Sequence, residues 1–202
     1  MTQYGFYVNT DICIGCKACM TSCFDRNDLE VPEQFRKIYE FGGGEWFKGA
    51  YDDFTNTAFA YYLSLTCCHC DMPICVATCP TGSMTKDWDT GIVNNDKDTC
   101  NGCLACKENC PYNHPVLRAD GLAHKCALCS EENEDSTPAP VCHTACPVRA
   151  LEFAPIEDLR AKHGDNDTIA DLGNTTKPNV VINPHRSADK GGKLLNPSEV
   201  NR

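Results

Sequence analysis

The spacing of cysteine restricts the fold of this chain more than any other feature. Sixteen of its seventeen cysteines fall into four groups of four. Groups I and III share the spacing C-x2-C-x2-C-x3-C, group II has a middle gap of four residues, and group IV has a middle gap of twelve. The groups are Cys13, Cys16, Cys19 and Cys23 (I); Cys67, Cys70, Cys75 and Cys79 (II); Cys100, Cys103, Cys106 and Cys110 (III); and Cys126, Cys129, Cys142 and Cys146 (IV). Such regular thiol spacing predicts a fold organised around metal centres.

Groups I and III have the ligand spacing of two-cluster bacterial ferredoxins, three cysteines on a tight loop and a fourth three residues later. Proline follows the fourth cysteine in groups II, III and IV, as Pro80, Pro111 and Pro147. Two such pairs of groups predict four [4Fe-4S] clusters. In ferredoxins the fourth cysteine of one run binds the cluster of the other run.

Applied here, that ferredoxin crossing pairs group I with group IV and group II with group III. The predicted ligand sets are Cys13, Cys16, Cys19 and Cys146 (site 1); Cys126, Cys129, Cys142 and Cys23 (site 2); Cys100, Cys103, Cys106 and Cys79 (site 3); and Cys67, Cys70, Cys75 and Cys110 (site 4). Cys68 remains outside these sets, and we expect it to be a small buried residue beside a cluster. Its neighbour His69 is either a structural histidine or a hydrogen-bond donor to a cluster sulfur.

Two other uses of cysteine are compatible with parts of the pattern. Disulfide scaffolds are rich in cysteine, but the repeated gaps and the odd total disfavour them. Structural zinc is the stronger rival, because paired C-x2-C motifs bind it through four thiolates. However, zinc does not need the third cysteine of a C-x2-C-x2-C triad. The cluster interpretation is therefore favoured, with a zinc-held structural module as a remote alternative.

The charge of the protein excludes a nucleic-acid surface, since the formal net charge is -10 and phosphate binding needs clustered Lys and Arg. Four oxidised clusters, each with a net charge of about -2 including its thiolates, would make the protein still more negative. Nearby cations and backbone amides must offset this charge. The candidates by sequence distance are Lys17, Lys107, Lys125, Arg118 and Arg149, each equally well explained as solvated surface charge.

The apolar segments are short. The longest, residues 58–65, is too short to span a bilayer, so we expect no membrane crossing by this chain. Residues 1–9 have neither the basic start nor the apolar centre of a secretory signal, so export would depend on a partner. The sequence contains no G-x-G-x-x-G after a strand and no G-K-[ST] phosphate loop, and no catalytic residue is predicted.

Short apolar segments beside the cysteine groups predict strands at residues 4–8, 59–65, 83–86, 92–94 and 151–153, with brief helices after each triad. The predicted fold class is α+β, with two ferredoxin-like two-cluster modules, loop-rich, and an extended C-terminal arm. Residues 1–30 with 115–155 form the module of groups I and IV, and 56–114 form the inserted module of groups II and III. Residues 31–55 are predicted to be a hairpin insertion that turns at Gly42–Gly44.

Residues 156–163 predict a helix, with acids early, bases late and Gly164 as its stop. Together with the rest of 156–202 it forms the predicted C-terminal segment. Residues 165–202 are polar and rich in Asn, Asp, Gly, Lys and Pro, which predicts either disorder or an arm ordered against a partner.

Segments between the cysteine groups resemble a known family over nearly the whole chain. These segments are QYGF at 3–6, CKxC at 16–19, RKIYE at 36–40, FAYYLS at 59–64, RAL at 149–151, LRAKHGD at 159–165 and KPNVVI at 177–182. They are similar to the iron-sulfur, electron-transfer subunit of anaerobic dimethyl sulfoxide reductase, within the four-cluster subunits of molybdopterin oxidoreductases.

This resemblance implies a non-catalytic subunit of a three-part complex. A membrane anchor oxidises menaquinol, this chain conducts the electrons, and a molybdopterin-containing catalytic subunit reduces dimethyl sulfoxide. In the family, the group I cluster lies nearest the catalytic subunit, and the order implied is I, IV, III, II. The complex would be peripheral to the cytoplasmic membrane, on the periplasmic side after export with the catalytic subunit's twin-arginine signal, or alternatively on the cytoplasmic side.

One position in group III bears on cluster type. Some relatives have tryptophan at its second place and hold a three-iron cluster there, whereas this chain has Cys103, which implies four-iron clusters throughout. The assignment of dimethyl sulfoxide as the terminal electron acceptor rests on the resemblance of the segments between the cysteine groups. A sister complex that reduces selenate, polysulfide or another oxyanion would use a nearly identical subunit.

Overall fold

A computed structural model describes residues 2–51, 53–130, 138–169 and 172–200. The fold is α+β, as predicted, with short helices and small sheets. The α-helices are Ala18–Arg26 (α1), Ile74–Ala77 (α2), Ala105–Glu108 (α3), Val141–Thr144 (α4), Ile156–His163 (α5) and Pro197–Val200 (α6), and a 3-10 helix covers Ala188–Lys190. The strands are Tyr4–Asn9 (β1), Arg36–Gly43 (β2), Trp46–Lys48 (β3), Phe54–Asn56 (β4), Phe59–Thr66 (β5), Met84–Lys86 (β6), Val93–Asn95 (β7), Val116–Leu117 (β8), Ala123–His124 (β9), Leu151–Pro155 (β10), Val180–Asn183 (β11) and Lys193–Leu194 (β12).

The first three-stranded sheet has the order β10-β1-β11, with β1 antiparallel to β10 and parallel to β11. Alternate residues of β1 face opposite sides of the sheet. Phe6 and Val8 join the main core, whereas Tyr7 packs with Ile156 and Leu159 of α5. This central strand is therefore covered on both faces. Helix α5 spans the predicted residues and is followed by Gly164, which has a φ of 88°.

The second sheet has the order β12-β2-β5, and β2 pairs with β5 from Arg36↔Thr66 to Gly43↔Phe59. The predicted hairpin turn at Gly42–Gly44 is therefore wrong. The glycines connect the end of β2 to a separate hairpin of β3 and β4, because β2 finds its partner beyond that hairpin. At Gly44, where φ is 90°, a Cβ atom would overlap the Thr57 carbonyl, which explains the need for glycine.

The β3–β4 hairpin carries large apolar side chains that face solvent. Trp46, Phe47, Tyr51 and Phe54 are all exposed, and Tyr51 is 95% accessible. A local concentration of exposed aromatic side chains is typical of a surface that binds another protein.

The C-terminal segment packs on its own chain, so neither of the two predicted alternatives fits its described part. Strand β11 lies in the first sheet and β12 in the second. Val200 is buried, and its carbonyl accepts a hydrogen bond of 2.6 Å from the Lys37 ammonium. The apolar run of β11 and the buried Val200 account for this packing, which composition alone did not reveal. Residues 201 and 202 lie outside the described residues.

The other small sheets are two-stranded: β6 with β7 and β8 with β9. Across the described ranges, no helix is long and apolar enough to cross a bilayer.

Candidate iron-sulfur sites

The four cysteine groups share a backbone feature. In every group the residue just before the second cysteine has a positive φ, between 44° and 70°. These residues are Gly15, His69, Gly102 and Leu128. A left-handed residue at this position turns the backbone sharply between the first two cysteines. Glycine signals that turn in groups I and III, whereas the leucine and histidine give no such signal in the sequence.

The later cysteines of each group are set by a short helix. Cys19, Cys75, Cys106 and Cys142 lie at the second residue of α1, α2, α3 and α4. Cys23 lies within α1, and the fourth cysteines of the other groups, Cys79, Cys110 and Cys146, follow two residues after their helices end. The helix carries the fourth cysteine away from the loop that holds the first two. Brief helices are present as predicted, but each begins one residue before the third cysteine of its group and not after the triad.

The cysteines predicted for site 4 surround one cavity. Cys67, Cys70, Cys75 and Cys110 all line it. Burial raises the pKa of Cys70 and of Cys75 to about 12. Both are therefore neutral thiols at physiological pH, and binding of iron has to displace their protons.

Two buried histidines line the same cavity. His69 Nδ1 accepts a hydrogen bond of 2.9 Å from the Val93 amide, so the neutral ring carries its proton on Nε2. Burial holds the pKa of His69 and of His114 well below 6.5. Within the described part of the chain, Nε2 of His69 and both ring nitrogens of His114 have no hydrogen-bond partner. Buried polar atoms without partners are costly, and the sulfides of a cluster would accept hydrogen bonds from the N–H groups.

The cysteines predicted for site 3 line a second cavity. Cys79, Cys100, Cys103 and Cys106 all line it. Although burial acts to raise it, hydrogen bonds from Ser83, the Met84 amide and Thr81 lower the pKa of Cys79 to about 6. The Ser83 hydroxyl lies 3.2 Å from the Cys79 sulfur. This cysteine is thus ready to bind iron as a thiolate.

The sulfurs of the cysteines predicted for site 1 lie close enough together to influence one another. Burial raises the pKa of Cys13, and the charges of the Cys19, Cys146 and Cys16 sulfurs raise it further. The Ala150 amide donates a hydrogen bond of 3.2 Å to the Cys146 sulfur. The structure therefore brings Cys146 to the triad of group I from a position more than a hundred residues away.

The sulfurs of the cysteines predicted for site 2 also lie close enough together to influence one another. Burial raises the pKa of Cys23 far above its ordinary value, and the sulfurs of Cys126, Cys142 and Cys129 act in the same direction. The Leu128 amide lies 3.3 Å from the Cys126 sulfur and donates to it. Amide donors of this kind stabilise thiolate sulfur.

Cys68 is buried, and its thiol donates to the Thr66 carbonyl at 3.4 Å. It lines the cavity of site 4 without being one of the four cysteines predicted to bind there. This environment is that of a small buried residue, as the sequence predicts. None of the seventeen cysteines, all of which lie in the described ranges, forms a disulfide bond.

The relative order of the sites differs from the order that the resemblance implied. Burial raises the pKa of Cys67, and Cys126 of site 2 raises it further. Burial likewise raises the pKa of Cys75, and Cys106 of site 3 is among the sulfurs that add to the effect. Site 4 therefore lies between site 2 and site 3. Cys75 of site 4 also packs in one apolar cluster with Cys106 of site 3. These neighbours favour the order I, IV, II, III by groups over the implied order I, IV, III, II.

Arg36 is a residue of these sites that sequence reasoning missed. It is fully buried, and the charges that raise its pKa against the effect of burial come from Cys142, Cys19, Cys126 and Cys23. Of the five candidate cations named from the sequence, only Lys125 is buried among the described residues, and it lines the cavity of site 4. Arg36 lies thirteen residues beyond Cys23 in sequence, so spacing gave no sign of it.

The residues present fit iron-sulfur clusters. Four sets of four sulfurs converge, donors point at several of the sulfurs, and unpartnered buried nitrogens line one cavity. In the described ranges, no three His, Cys, Asp or Glu side chains are close enough together to hold a single metal ion.

Comparisons with known proteins give the same chemistry. A family model described as "4Fe-4S dicluster domain" matches residues 58–156, which contain groups II, III and IV. The probable anaerobic dimethyl sulfoxide reductase chain YnfG of Escherichia coli K12 is 44% identical over 208 residues, 98% of this chain and 99% of its own length. The B chain of the anaerobic dimethyl sulfoxide reductase of Haemophilus influenzae is 43% identical over 207 residues, 99% of this chain and all of its own.

This protein belongs to the B-chain family of anaerobic dimethyl sulfoxide reductases. The B chain of the Escherichia coli K12 reductase, which is 42% identical over 98% of this chain and 99% of its own, is a further relative. The resemblance read from the segments between the cysteine groups is thereby confirmed. Members of the B-chain family are iron-sulfur electron-transfer chains with [4Fe-4S] clusters and not catalytic subunits.

Proposed function

We propose that this chain conducts electrons through four [4Fe-4S] clusters, one at each of sites 1 to 4, to a molybdopterin catalytic subunit that reduces dimethyl sulfoxide. The electrons come from a membrane anchor subunit that oxidises quinol. The observation that carries the proposal is the convergence of sixteen cysteines into four adjacent sets, each drawn from two groups. The names of the relatives support the identity of the complex.

Each cluster carries one electron at a time, and the protein holds the clusters close together and away from water. Sites 1 and 2 belong to the module of residues 1–30 and 115–155, and sites 3 and 4 to the module of residues 56–114. The series 1, 2, 4, 3 gives the path two ends. By the family resemblance, site 1 faces the catalytic subunit, so site 3 faces the quinol-oxidising anchor.

The proposed location is the surface of the cytoplasmic membrane, where the protein is held by its partners. Its exposed β3–β4 hairpin supports a role as a subunit, because aromatic side chains such as Trp46 and Tyr51 are free to contact another protein. By the family resemblance the complex faces the periplasm after export with the catalytic subunit, with the cytoplasmic face as the alternative.

Anaerobic purification of the protein with its associated subunits tests the proposal. We expect a brown complex with about sixteen irons per copy of this subunit, and an EPR spectrum of several interacting [4Fe-4S] centres after reduction with dithionite. A large molybdenum-containing subunit should copurify, and the complex should oxidise a quinol analogue with dimethyl sulfoxide as acceptor. Protease protection in intact spheroplasts distinguishes the two membrane faces.

A colourless protein that contains zinc would overturn the proposal. A complex that turns over selenate or polysulfide but not dimethyl sulfoxide would overturn the assigned acceptor and leave electron transfer intact.

A further inference from the structure

Arg36 is a buried cation in the part of the core where sites 1 and 2 meet. It begins strand β2, and only 1% of its surface is accessible. Its guanidinium carbon lies 4.5 Å from the centroid of the Phe6 ring. Arginine keeps its charge in proteins, so this is a permanent positive charge in an apolar environment.

Only some of the hydrogen-bond donors of the Arg36 guanidinium have acceptors nearby. One terminal nitrogen donates to the Ser64 hydroxyl at 3.0 Å and lies 3.4 Å from the Ser64 carbonyl. Nε and the other terminal nitrogen have no nitrogen or oxygen partner among the described residues, and the guanidinium is within hydrogen-bonding reach of the Cys142 sulfur of site 2. Removing a charge from water costs several kcal/mol unless an opposite charge or hydrogen bonds compensate. The compensation must come from groups beside the two free nitrogens.

The charges that act on Arg36 are sulfurs of both sites. They belong to Cys142, Cys126 and Cys23 of site 2 and to Cys19 of site 1. The Ser64 hydroxyl that accepts from Arg36 also lies 3.3 Å from the Cys19 sulfur. When Cys19 binds iron as a thiolate, that hydroxyl can only donate to the sulfur. Arg36 therefore acts on site 2 directly and on site 1 through Ser64.

We propose that Arg36 is a positioning residue that raises the reduction potentials of the clusters at sites 1 and 2 together. The inference rests on the proposed function, because it takes the cysteines of these two sites as cluster ligands. One-electron reduction changes the net charge of a cluster with its four thiolates from about -2 to about -3. A fixed positive charge stabilises the more negative form, and in a buried site it is weakly screened. Arg36 thus favours electron entry into these two clusters.

The experiment is an EPR-monitored redox titration of the purified complex, with the four centres assigned through single cysteine variants. In Arg36→Met we expect the midpoint potentials of two centres, those of sites 1 and 2, to fall, while those of sites 3 and 4 stay unchanged. Arg36→Lys keeps the charge and should restore most of both shifts. Arg160→Gln removes an arginine charge from α5, where Arg160 pairs with the exposed Glu157, and should shift none of the four.

Ser64→Ala provides a second measurement that keeps the cation in place. It should lower the potential of site 1 alone, because it removes the hydroxyl between Arg36 and Cys19. If Arg36→Met fails to assemble its clusters, the midpoint potentials measured in Ser64→Ala and Arg36→Lys test the inference instead. Potentials in Ser64→Ala equal to those of the unaltered complex would then overturn the inference.

The failures of the two proposals are distinguishable. An unaltered protein without iron-sulfur EPR signals contradicts the proposed function. Four intact centres in Arg36→Met with unchanged potentials contradict only the role of Arg36.

Discussion

The Thr176 hydroxyl lies 3.2 Å from the Cys70 sulfur and donates a hydrogen bond to it across 106 residues of sequence. The same oxygen lies 3.1 Å from the Tyr112 hydroxyl, which fixes its position. Through this contact the C-terminal segment reaches the cavity of site 4. A hydrogen bond to a ligand sulfur stabilises the reduced, more negative state of a cluster.

Thr176→Val should therefore lower the midpoint potential of site 4. The isosteric change removes the donor, and a tenfold change in the redox equilibrium corresponds to about 59 mV for one electron. A redox titration followed by EPR measures the shift. Thr176→Ser keeps a hydroxyl and should stay close to the unaltered protein, whereas equal potentials in both variants would rule out this hydrogen bond as a determinant.

Gly102 and Gly121 are two left-handed glycines that face each other. Their φ angles are 70° and 78°. A Cβ atom on Gly102 would overlap the Gly121 carbonyl oxygen, whereas a Cβ atom on Gly121 meets only open space. Alanine in the left-handed region costs about 1–2 kcal/mol at either position.

Gly102→Ala should add a backbone collision to that cost and distort the loop between Cys100 and Cys103. We expect lower iron content, with the loss at site 3, and a lower melting temperature. Gly121→Ala is the matched control and should keep full iron content with a small decrease in melting temperature. If the two variants behave alike, the collision is not what requires glycine at 102.

Much of this fold could be predicted from sequence because the determining signals are local. The strand β1 has alternating apolar residues, and helix α5 has acids at its start and Gly164 at its end, so both were predicted within one residue. The cysteine spacing gave the grouping of ligands directly. Strand β1, helix α5 and cysteine groups I and III each span fewer than twelve residues, and the physical cause of each pattern lies within the same segment.

The features that sequence missed depend on contacts between distant segments. Gly42–Gly44 has the composition of a hairpin turn, but β2 pairs with β5 beyond it, since eight residue pairs outweigh one local turn. Arg36 is an ordinary charged residue in sequence and becomes a buried cation only when the folded chain surrounds it with sulfurs. The order of the sites likewise follows from the electrostatic influence of Cys126 on Cys67 and from the packing of Cys75 with Cys106, which no spacing encodes.

The buried His114 should lower the free energy of unfolding of the protein in acid. Burial holds its pKa well below 6.5 in the folded state, while the unfolded chain binds a proton near pH 6.5. Below that pH the unfolded state holds one more proton, so stability falls by up to about 1.4 kcal/mol per pH unit for this group. His114→Phe removes the protonation and should move the midpoint of acid unfolding to lower pH, measured by near-UV circular dichroism. An unchanged or higher midpoint would contradict this account. The control is His124→Phe, which replaces a histidine that pairs with the exposed Asp120.

Cys103 tests the proposed cluster type at the end of the path. It is exposed and lines the cavity of site 3 with Cys79, Cys100 and Cys106. Because serine binds iron poorly at this position, Cys103→Ser should lose one iron and convert that centre to a [3Fe-4S] form of higher potential. The new centre should give an EPR signal in the oxidised protein, where [4Fe-4S] centres are silent. Quinol-driven turnover should stop, because electron transfer from a centre of high potential to the next cluster of lower potential is unfavourable. Cys68→Ser changes a buried thiol outside the four sites and should leave both spectrum and turnover intact. An unaltered spectrum in Cys103→Ser would remove Cys103 from the ligands of site 3.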